Sequence, residues 1–303
     1  QDEINDRELV VVFLVIVSIV TATLAACVDM IVYYLAAGRT YLVGAVGNIW
    51  GGYVVYVAHT MVFVSLALYF THTIAPNAAG SGLPEMKCIL SGLTLAKYLS
   101  RKTLVAKVLG VTCGLGSGMI VGRQGPFVHV ASCIVNLLSY ARCFRNFATN
   151  QGIRMQLLAA ACAVGVSVAY GAPIGGVLYS IEVTSTYYPI RYYWAAFISS
   201  IVSGFAFRAI WNLFLGQSYL LPVVPTNFSL GNLYMEWYEW GIVILMSVLG
   251  SVMGVAFIKV NASTVSFRRQ YAKQFPTLGP LHFTILVGGL TSILFYPSLF
   301  GTY

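Results

Sequence analysis

Long runs of this chain carry no charged side chain. A membrane-crossing helix needs about 20 consecutive apolar residues, and each run approaches or exceeds that length. Only 9% of residues are charged and 58% are hydrophobic, far from the balance of a soluble globular domain. The sequence therefore predicts an integral membrane protein. The runs are Leu9 to Val28, Thr40 to Pro84, Met155 to Ile181, Ala209 to Met235, Trp240 to Ile258 and Gln274 to Tyr303.

The predicted fold class is an all-α membrane protein, a bundle of tilted and broken helices. Backbone groups must pair internally in hydrocarbon, and long runs without alternation exclude barrel strands. Several predicted helices are too short to span a bilayer and begin just after Gly and Pro clusters, which indicates half-helices. The predicted helices are Leu9 to Ala37, Gly51 to Ile74, Leu83 to Leu90, Lys102 to Gly114, Pro126 to Tyr140, Met155 to Val168, Ile174 to Val183, Tyr192 to Leu215, Trp237 to Val260 and Leu281 to Tyr296.

The basic residues lie between the apolar runs and give a net charge of +8. We interpret this charge as membrane topology and expect no nucleic-acid partner. The positive-inside rule places two basic clusters on the cytoplasmic side. The clusters are Lys97, Arg101, Lys102 and Lys107, and Arg268, Arg269 and Lys273. Acidic residues are few and histidines isolated, so we expect no enzyme active site and no metal site.

The breaks between short helices are where function is expected, because irregular backbone at membrane depth is tolerated only in packed protein or around an aqueous cavity. The first break is Gly80 to Glu85, in which Pro84 suits a first helical turn. A helix start exposes unpaired N–H groups and about half a positive charge, which can hold an anion. Ser81 adds a hydroxyl donor there, although the alternative that it merely caps its helix is equally weighted.

Two further breaks repeat this arrangement. Gly122 to His129 again places a polar side chain between glycines before a proline, and Gly171 to Val177 breaks and restarts an apolar run. Stripping an ion of water costs tens of kcal/mol, whereas one charge-assisted hydrogen bond returns about 1.5 to 3. Several convergent donors are therefore needed, and partial charges suit rapid passage of the ion better than a fixed cation.

Three stretches together resemble signature sequences of the ClC family of chloride channels and proton-coupled chloride transporters. They are Gly80 to Glu85, Gly122 to Pro126 and Gly171 to Glu182. The resemblance implies a homodimer in membrane lipid with one pore per subunit, chloride as the permeant ion and no cofactor; it defines no accessory subunit. It also implies that residues 1–235 form the first of two inverted halves and 236–303 begin the second. The rest of the pore domain and any cytoplasmic regulatory domain would lie outside this sequence.

The resemblance assigns roles to individual residues. It implies that Ser81 donates to a central chloride from the intracellular side, with help from later backbone N–H groups and from a tyrosine in the part of the pore domain that lies outside this sequence. The gate position, usually glutamate in the family, is Gln124, which cannot titrate or compete with chloride through a negative charge. The expected ion-binding residues are Ser81, Gly82, Leu83, Gly125, Pro126 and Phe127. The expected pore vicinity comprises Arg123, Gly175, Gly176, Glu182 and Val183.

The position after Glu182 favours a channel over an exchanger. In the family's exchangers a second glutamate follows there, whereas this chain has Val183. The run from Glu182 to Tyr188 also resembles plasma-membrane channels of animals, so a multi-pass protein of the plasma membrane is expected. The alternative function is a proton-coupled chloride exchanger of the same family.

The sequence leaves two interpretations open for each of three polar residues, and it leaves the partner of a fourth unidentified. Glu182 either acts near the pore or, as favoured, pairs with an arginine or the backbone. His129 either tunes gating by pH or, as favoured, is satisfied structurally. Arg123 either concentrates anions at the pore mouth or extends to water. Asp29 interrupts the first long helix, and the sequence does not identify its partner.

Overall fold

The computed structural model describes residues 2–184, 188–216, 236–274 and 279–296, and over these residues it is helical with no strand. The fold class predicted from the apolar runs is confirmed. Short 3₁₀ turns at Pro76–Ala78, Arg142–Phe144 and Ile190–Tyr192 connect some of the helices. The α-helices are α1 Asp2–Ala45, α2 Ile49–Thr73, α3 Leu83–Leu90, α4 Arg101–Gly116, α5 Gln124–Ser139, α6 Asn146–Thr149, α7 Gln151–Tyr170, α8 Pro173–Glu182, α9 Tyr193–Phe214, α10 Trp237–Gln274 and α11 Gly279–Leu294.

Full spans and half-helices alternate along the chain. Within the described residues, five helices are long and apolar enough to cross a membrane: α1, α2, α7, α9 and α10. By contrast, α3 has 8 residues and α8 has 10, and at 1.5 Å per residue each covers about half of a hydrocarbon core of about 30 Å. Both begin with a proline in the first turn, where a missing N–H costs no helical hydrogen bond. The predicted half-helices are confirmed.

Each predicted helix is present, and several are longer than the sequence suggested, most of all α1, α7 and α10. The predicted ends at Ala37 and Val260 are wrong, since α1 continues to Ala45 and α10 to Gln274. Arg39 shows why α1 continues beyond its predicted end. Its guanidinium lies 4.9 Å from the Tyr56 ring centroid and donates to the Ser117 carbonyl at 3.2 Å. A charge that is satisfied within the protein does not end a helix.

Helix α7 forms the centre of the core. All of its residues from Leu157 to Ala169 are buried, and many are small, which lets neighbouring backbones approach closely. A Cβ added at Gly165 would lie 2.5 Å from the Val128 Cα on α5. The small residues of α7 thus bring it into contact with the first turns of α5, the helix that follows the second break.

The chain divides into two compact units, residues 1–223 with 288–303, and residues 224–287. The second unit contains α10, whose side chains are largely exposed. The predicted boundary between residues 235 and 236 stays a prediction, and residue 235 lies outside the described part of the chain. Ser185, Thr186 and Tyr187, part of the run that indicated animal channels, also lie outside it.

Candidate functional site

Two of the three predicted breaks open into one cavity of the first unit. Its volume is about 540 Å³. Gly80 and Ser81 line it from the break before α3, and Gln124 lines it from the break before α5. The remaining wall comes from α2, α4 and the end of α7, and none of the described residues that line the cavity is charged. We call this space the anion cavity, because its donors are helix N-termini.

The two breaks touch each other at Gly125. A Cβ added there would lie 2.8 Å from the Ser81 Cβ and 3.0 Å from the Ser81 carbonyl oxygen. Such distances are too short for ordinary packing, so any larger residue would push the two helix starts apart. Glycine is needed at position 125 to bring the two N-termini to one place.

The first break positions Ser81 beside the cavity. Gly80 and Gly82 both have positive φ, +81° and +90°, a conformation that glycine adopts without strain. The Leu83 N–H donates to the Ser81 Oγ at 3.4 Å, a long and weak hydrogen bond. The hydroxyl proton stays free to point elsewhere. Ser81 therefore contacts its own helix start while its hydroxyl remains a donor at the cavity wall.

Lys107 supports the first break from inside the protein, although the sequence analysis assigned this residue to the cytoplasmic basic cluster. The side chain of Lys107 is buried, with 2% of its surface exposed. Its ammonium donates to the carbonyl of Ala78 at 2.9 Å and of Gly80 at 2.5 Å. A buried positive charge thus holds the loop before Ser81, and it adds a favourable field for an anion nearby.

An aromatic stack supports α3 from the other side. The Tyr98 ring lies on the His129 ring at 4.2 Å, and a Cβ added at Gly82 would meet the His129 Cβ at 2.8 Å. Tyr98 donates to the Glu85 carboxylate at 3.4 Å. Burial, with the nearby carboxylate, raises the pKa of the Tyr98 hydroxyl above its ordinary value, so it remains a donor. The His129 Nε2 lies 3.3 Å from the Tyr98 carbonyl oxygen, whereas its buried Nδ1 has no hydrogen-bond partner among the described residues, so the favoured alternative of a structurally satisfied histidine is met only in part.

The second break leaves two backbone donors open. Helix α5 begins at Gln124, two residues before the predicted start at Pro126. The N–H groups of Gln124 and Gly125 have no acceptor among the described residues, and Pro126 has no N–H. The Phe127 N–H already donates to the Arg123 carbonyl at 3.1 Å. The donors available to a ligand are therefore those of Gln124 and Gly125, while the predicted role of Phe127 stays a prediction.

Tyr170 holds the Gln124 side chain. Its hydroxyl donates to the Gln124 Oε1 at 3.0 Å, and it lines the cavity. The sequence analysis missed this residue. The available signal was its position, the last residue of an apolar run directly before the third break at Gly171.

Arg123 and Asp29 form an ion pair. The Arg123 Nη1 lies 2.7 Å from the Asp29 Oδ2, which identifies the partner that the sequence did not. The pair anchors the start of α5 to α1. Arg123 is therefore neither a free cation at the pore mouth nor a side chain that extends alone to water, and the two earlier interpretations are both replaced.

The third break lies outside the anion cavity. Arg208 donates to the Gly171 carbonyl at 2.6 Å, and Ser200 donates to the Pro173 carbonyl at 2.6 Å. A Cβ added at Gly176 would lie 2.6 Å from the Ala163 carbonyl oxygen, whereas at Gly175 the nearest atom is 3.6 Å away. Close packing of α8 on α7 explains Gly176. The proposed pore roles of Gly175 and Gly176 stay predictions.

Glu182 and Val183 lie at the other end of α8 and are exposed. Among the described residues Glu182 has no ion pair, so the favoured pairing with an arginine is not found. Within the described ranges no three His, Cys, Asp or Glu residues group together as a metal site would require.

The chain is similar to proteins of one family. It matches the family described as voltage gated chloride channel over residues 60–303. It is 38% identical over 298 residues to chloride channel protein 2 of Cavia porcellus, which covers 96% of this chain and 33% of that protein. It is 36% identical over 248 residues to H(+)/Cl(-) exchange transporter 3 of Homo sapiens, covering 81% of this chain and 29% of that protein. The chain thus spans about a third of the length of these relatives.

Two solved structures share the fold. A crystal structure of a eukaryotic CLC transporter superposes with a TM-score of 0.76 at 29% identity, covering 95% of this chain and 49% of that one. A slow cyanobacterial Cl-/H+ antiporter superposes with a TM-score of 0.75 at 23% identity, covering 94% and 63%. The half-helices described above therefore belong to an arrangement already seen in membrane transporters.

Proposed function

Because the chain belongs to the voltage gated chloride channel family, we propose that this multi-pass membrane protein carries part of an anion pathway with chloride as the permeant ion. The observation that carries the proposal is the meeting of two helix N-termini at one cavity. The Ser81 hydroxyl and the N–H groups of Gln124 and Gly125 all lie there. Each end contributes partial positive charge, and the wall contains no carboxylate to repel an anion.

The free energies of dehydration and hydrogen bonding favour a site that passes chloride rather than one that retains it. Dehydration of chloride is costly, so several donors must act together. Each returns about 1.5 to 3 kcal/mol with a charged partner, which is enough to admit the ion when donors converge. A lysine ammonium in direct contact would slow release. Lys107 instead binds carbonyls behind the loop, where its charge acts at a distance.

We propose a passive channel rather than an exchanger. Proton coupling requires groups that titrate along a route, and the gate position holds Gln124 while the position after Glu182 holds Val183. An amide and an alkyl group cannot carry protons. The similarity to chloride channel protein 2 at 38% identity supports this choice, and it also supports a plasma-membrane location. The family supports a homodimer with one pore per subunit.

The exchanger is the second candidate, favoured by the similarity to a protein named as an H(+)/Cl(-) exchange transporter. The two functions differ in their response to a proton gradient. For a channel the reversal potential follows chloride alone, whereas for an exchanger it shifts with pH at fixed chloride. A reversal potential that moves with pH would therefore replace the channel by the exchanger.

The decisive experiment measures chloride efflux from liposomes that contain the full-length protein, across pH, for the sequence given and for Gln124→Glu. The given sequence is expected to conduct with little pH dependence. Gln124→Glu introduces a carboxylate beside the free N–H groups, so its flux is expected to fall as pH rises and the carboxylate ionises. Absence of chloride flux from both forms would overturn the proposal.

A further inference from the structure

A second cavity lies at the opposite ends of α3 and α5 from the anion cavity. Its volume is about 400 Å³. It is lined by the end of α3, the segment 91–100, the end of α5 and the start of α7. We infer that this space, the basic cavity, binds the phosphate headgroup of an anionic lipid from the cytoplasmic leaflet.

Three cations face this space without a counter-charge. Lys97, Arg101 and Arg154 line it, and the part of its wall that the structure describes contains no Asp or Glu. Among the described residues none of the three forms an ion pair. Like charges held around a cavity repel one another, and a bound anion relieves that repulsion. A phosphate monoester carries between one and two negative charges near neutral pH, which suits three cations.

The deepest cation is held in position by hydrogen bonds. The Arg154 Nη2 donates to the Asn136 Oδ1 at 3.2 Å, and the Asn136 Nδ2 donates to the Leu99 carbonyl at 2.9 Å. An amide orients the guanidinium but does not neutralise it. Its remaining N–H donors suit the bidentate geometry that phosphate oxygens accept.

Lys97 has an unusual backbone. Its φ is +62°, the one positive value at a non-glycine residue in the part of the chain that the structure describes. The buried Thr103 hydroxyl donates to the Lys97 carbonyl at 3.1 Å and helps to hold this conformation. Such strain persists only where surrounding structure maintains it and is concentrated at binding sites. Here it places the lysine on the cavity wall.

An apolar rim explains why the ligand is a lipid rather than a free phosphate. Leu93, Leu95 and Tyr140 line the same cavity and are 59%, 40% and 64% exposed. Tyrosine beside cations is typical of the membrane interface. The basic cluster containing Lys97 and Arg101 falls on the cytoplasmic side by the positive-inside rule, the leaflet that holds anionic lipids. Cations would hold the phosphate while the rim contacts the acyl chains.

The test uses the full-length protein in detergent and dioctanoyl phosphatidylinositol 4-phosphate as the probe, with binding measured by native mass spectrometry. Dioctanoyl phosphatidylcholine reports neutral-lipid binding, and inositol 1,4-bisphosphate reports the headgroup alone. The probe is expected to bind at least about tenfold more tightly than either. Equal binding of phosphatidylcholine, or of inositol bisphosphate without its chains, overturns the lipid assignment.

Two variants locate the binding. Lys97→Gln with Arg101→Gln changes exposed side chains that have no described partner, so it leaves the fold intact, and Arg154→Gln is added to complete the triple variant. Loss of affinity by about tenfold or more is expected for the triple variant. The matched control replaces the exposed cations Arg268, Arg269 and Lys273 of α10 by glutamine. Unchanged affinity in the cavity variants, or equal loss in the control, overturns the site.

Discussion

The breaks before α5 and before α8 look alike in sequence and differ in what surrounds them. Each contains glycines and a proline that opens an apolar helix. Before α5, Gln124 and Gly125 line a cavity, and their backbone N–H groups have no acceptor among the described residues. Before α8 the neighbouring carbonyls accept from Arg208 and Ser200, and Gly176 is packed against α7. A Gly–Pro break therefore predicts a helix start but does not by itself predict a ligand.

The contact between the first two breaks is the feature that the third lacks. Gly125 lies against Ser81, and Lys107 holds the loop before Ser81. Both contacts join residues that are distant along the chain. If the comparison is right, substitutions at the first two breaks change anion binding, whereas substitutions at the third change stability alone.

The largest effect is expected at Lys107. Lys107→Met removes the charged donor from the buried hydrogen bond to the Ala78 carbonyl and from the partly buried hydrogen bond to the Gly80 carbonyl, and each lost hydrogen bond to a charged group costs about 1.5 to 3 kcal/mol. The free energy of unfolding in detergent should fall by roughly 3 kcal/mol, because the cost of burying the lysine offsets part of the loss. Chloride affinity, measured by calorimetry, should fall as well.

The matched control is Lys102→Met, on the exposed face of the same helix. It should change the free energy of unfolding by less than about 0.5 kcal/mol. If Lys107→Met kept full chloride affinity, the Lys107 charge would not contribute to anion binding. One difference between the first and third breaks would then be removed.

At the third break Gly176→Ala should lower stability without altering the anion cavity. Its Cβ would lie 2.6 Å from the Ala163 carbonyl oxygen and 2.8 Å from the Ser200 Oγ, and overpacking of this kind costs about 1 to 3 kcal/mol. Thermal unfolding measures the loss. Chloride affinity of the folded protein should remain unchanged.

Gly175→Ala is the control for that substitution, since its nearest neighbour would be the Ala172 Cβ at 3.6 Å. Stability should stay the same or rise by about 0.5 kcal/mol, because alanine favours a helix. A fall in chloride affinity for Gly175→Ala would show that the third break also contributes to the anion pathway. The third break would then no longer differ in function from the first two.

Local patterns were sufficient to predict the helices. Uncharged runs must be helical in lipid. A proline shortly after a glycine can begin a helix but not continue one, so the bounds of α3 and α8 were predicted closely. Ser81, two residues before α3, and Gln124, the first residue of α5, were placed close to helix starts by the same logic. These features depend on neighbours in sequence, which a single chain displays.

Contacts between distant segments could not be predicted. Arg123 pairs with Asp29, 94 positions earlier, and any of several basic residues would have fitted that carboxylate. Lys107 was grouped with the cytoplasmic basic residues because a lysine near other cations usually marks topology, and nothing in the sequence indicated that its side chain is buried and donates to carbonyls of another loop. Tyr170 likewise had no neighbour in sequence that indicated Gln124.

An intermediate effect on chloride binding is expected at Gly125. In Gly125→Ala the added Cβ would lie 2.8 Å from the Ser81 Cβ, so the two helix starts must separate and the donors no longer converge. Chloride affinity should fall by about tenfold, which corresponds to about 1.4 kcal/mol. Gly122→Ala in the same break meets nothing within 4 Å and should bind chloride normally. If Gly125→Ala and Gly122→Ala bound chloride with equal affinity, chloride binding would not depend on the contact between Gly125 and Ser81.

The smallest effect is expected at Tyr170, which donates to Gln124 at an exposed position. Tyr170→Phe removes a neutral hydrogen bond worth about 0.5 kcal/mol there, so chloride flux from liposomes should change about twofold. In the Gln124→Glu background the same substitution removes a donor to a carboxylate, and the effect should grow to about 1.5 kcal/mol or more. Tyr41→Phe, at an exposed position of α1 that lines neither cavity, serves as the control in both backgrounds. If a double-mutant cycle found no coupling between positions 124 and 170, the Tyr170 hydroxyl would not hold the side chain at position 124. The third break, which follows Tyr170, would then have no contact with the anion cavity.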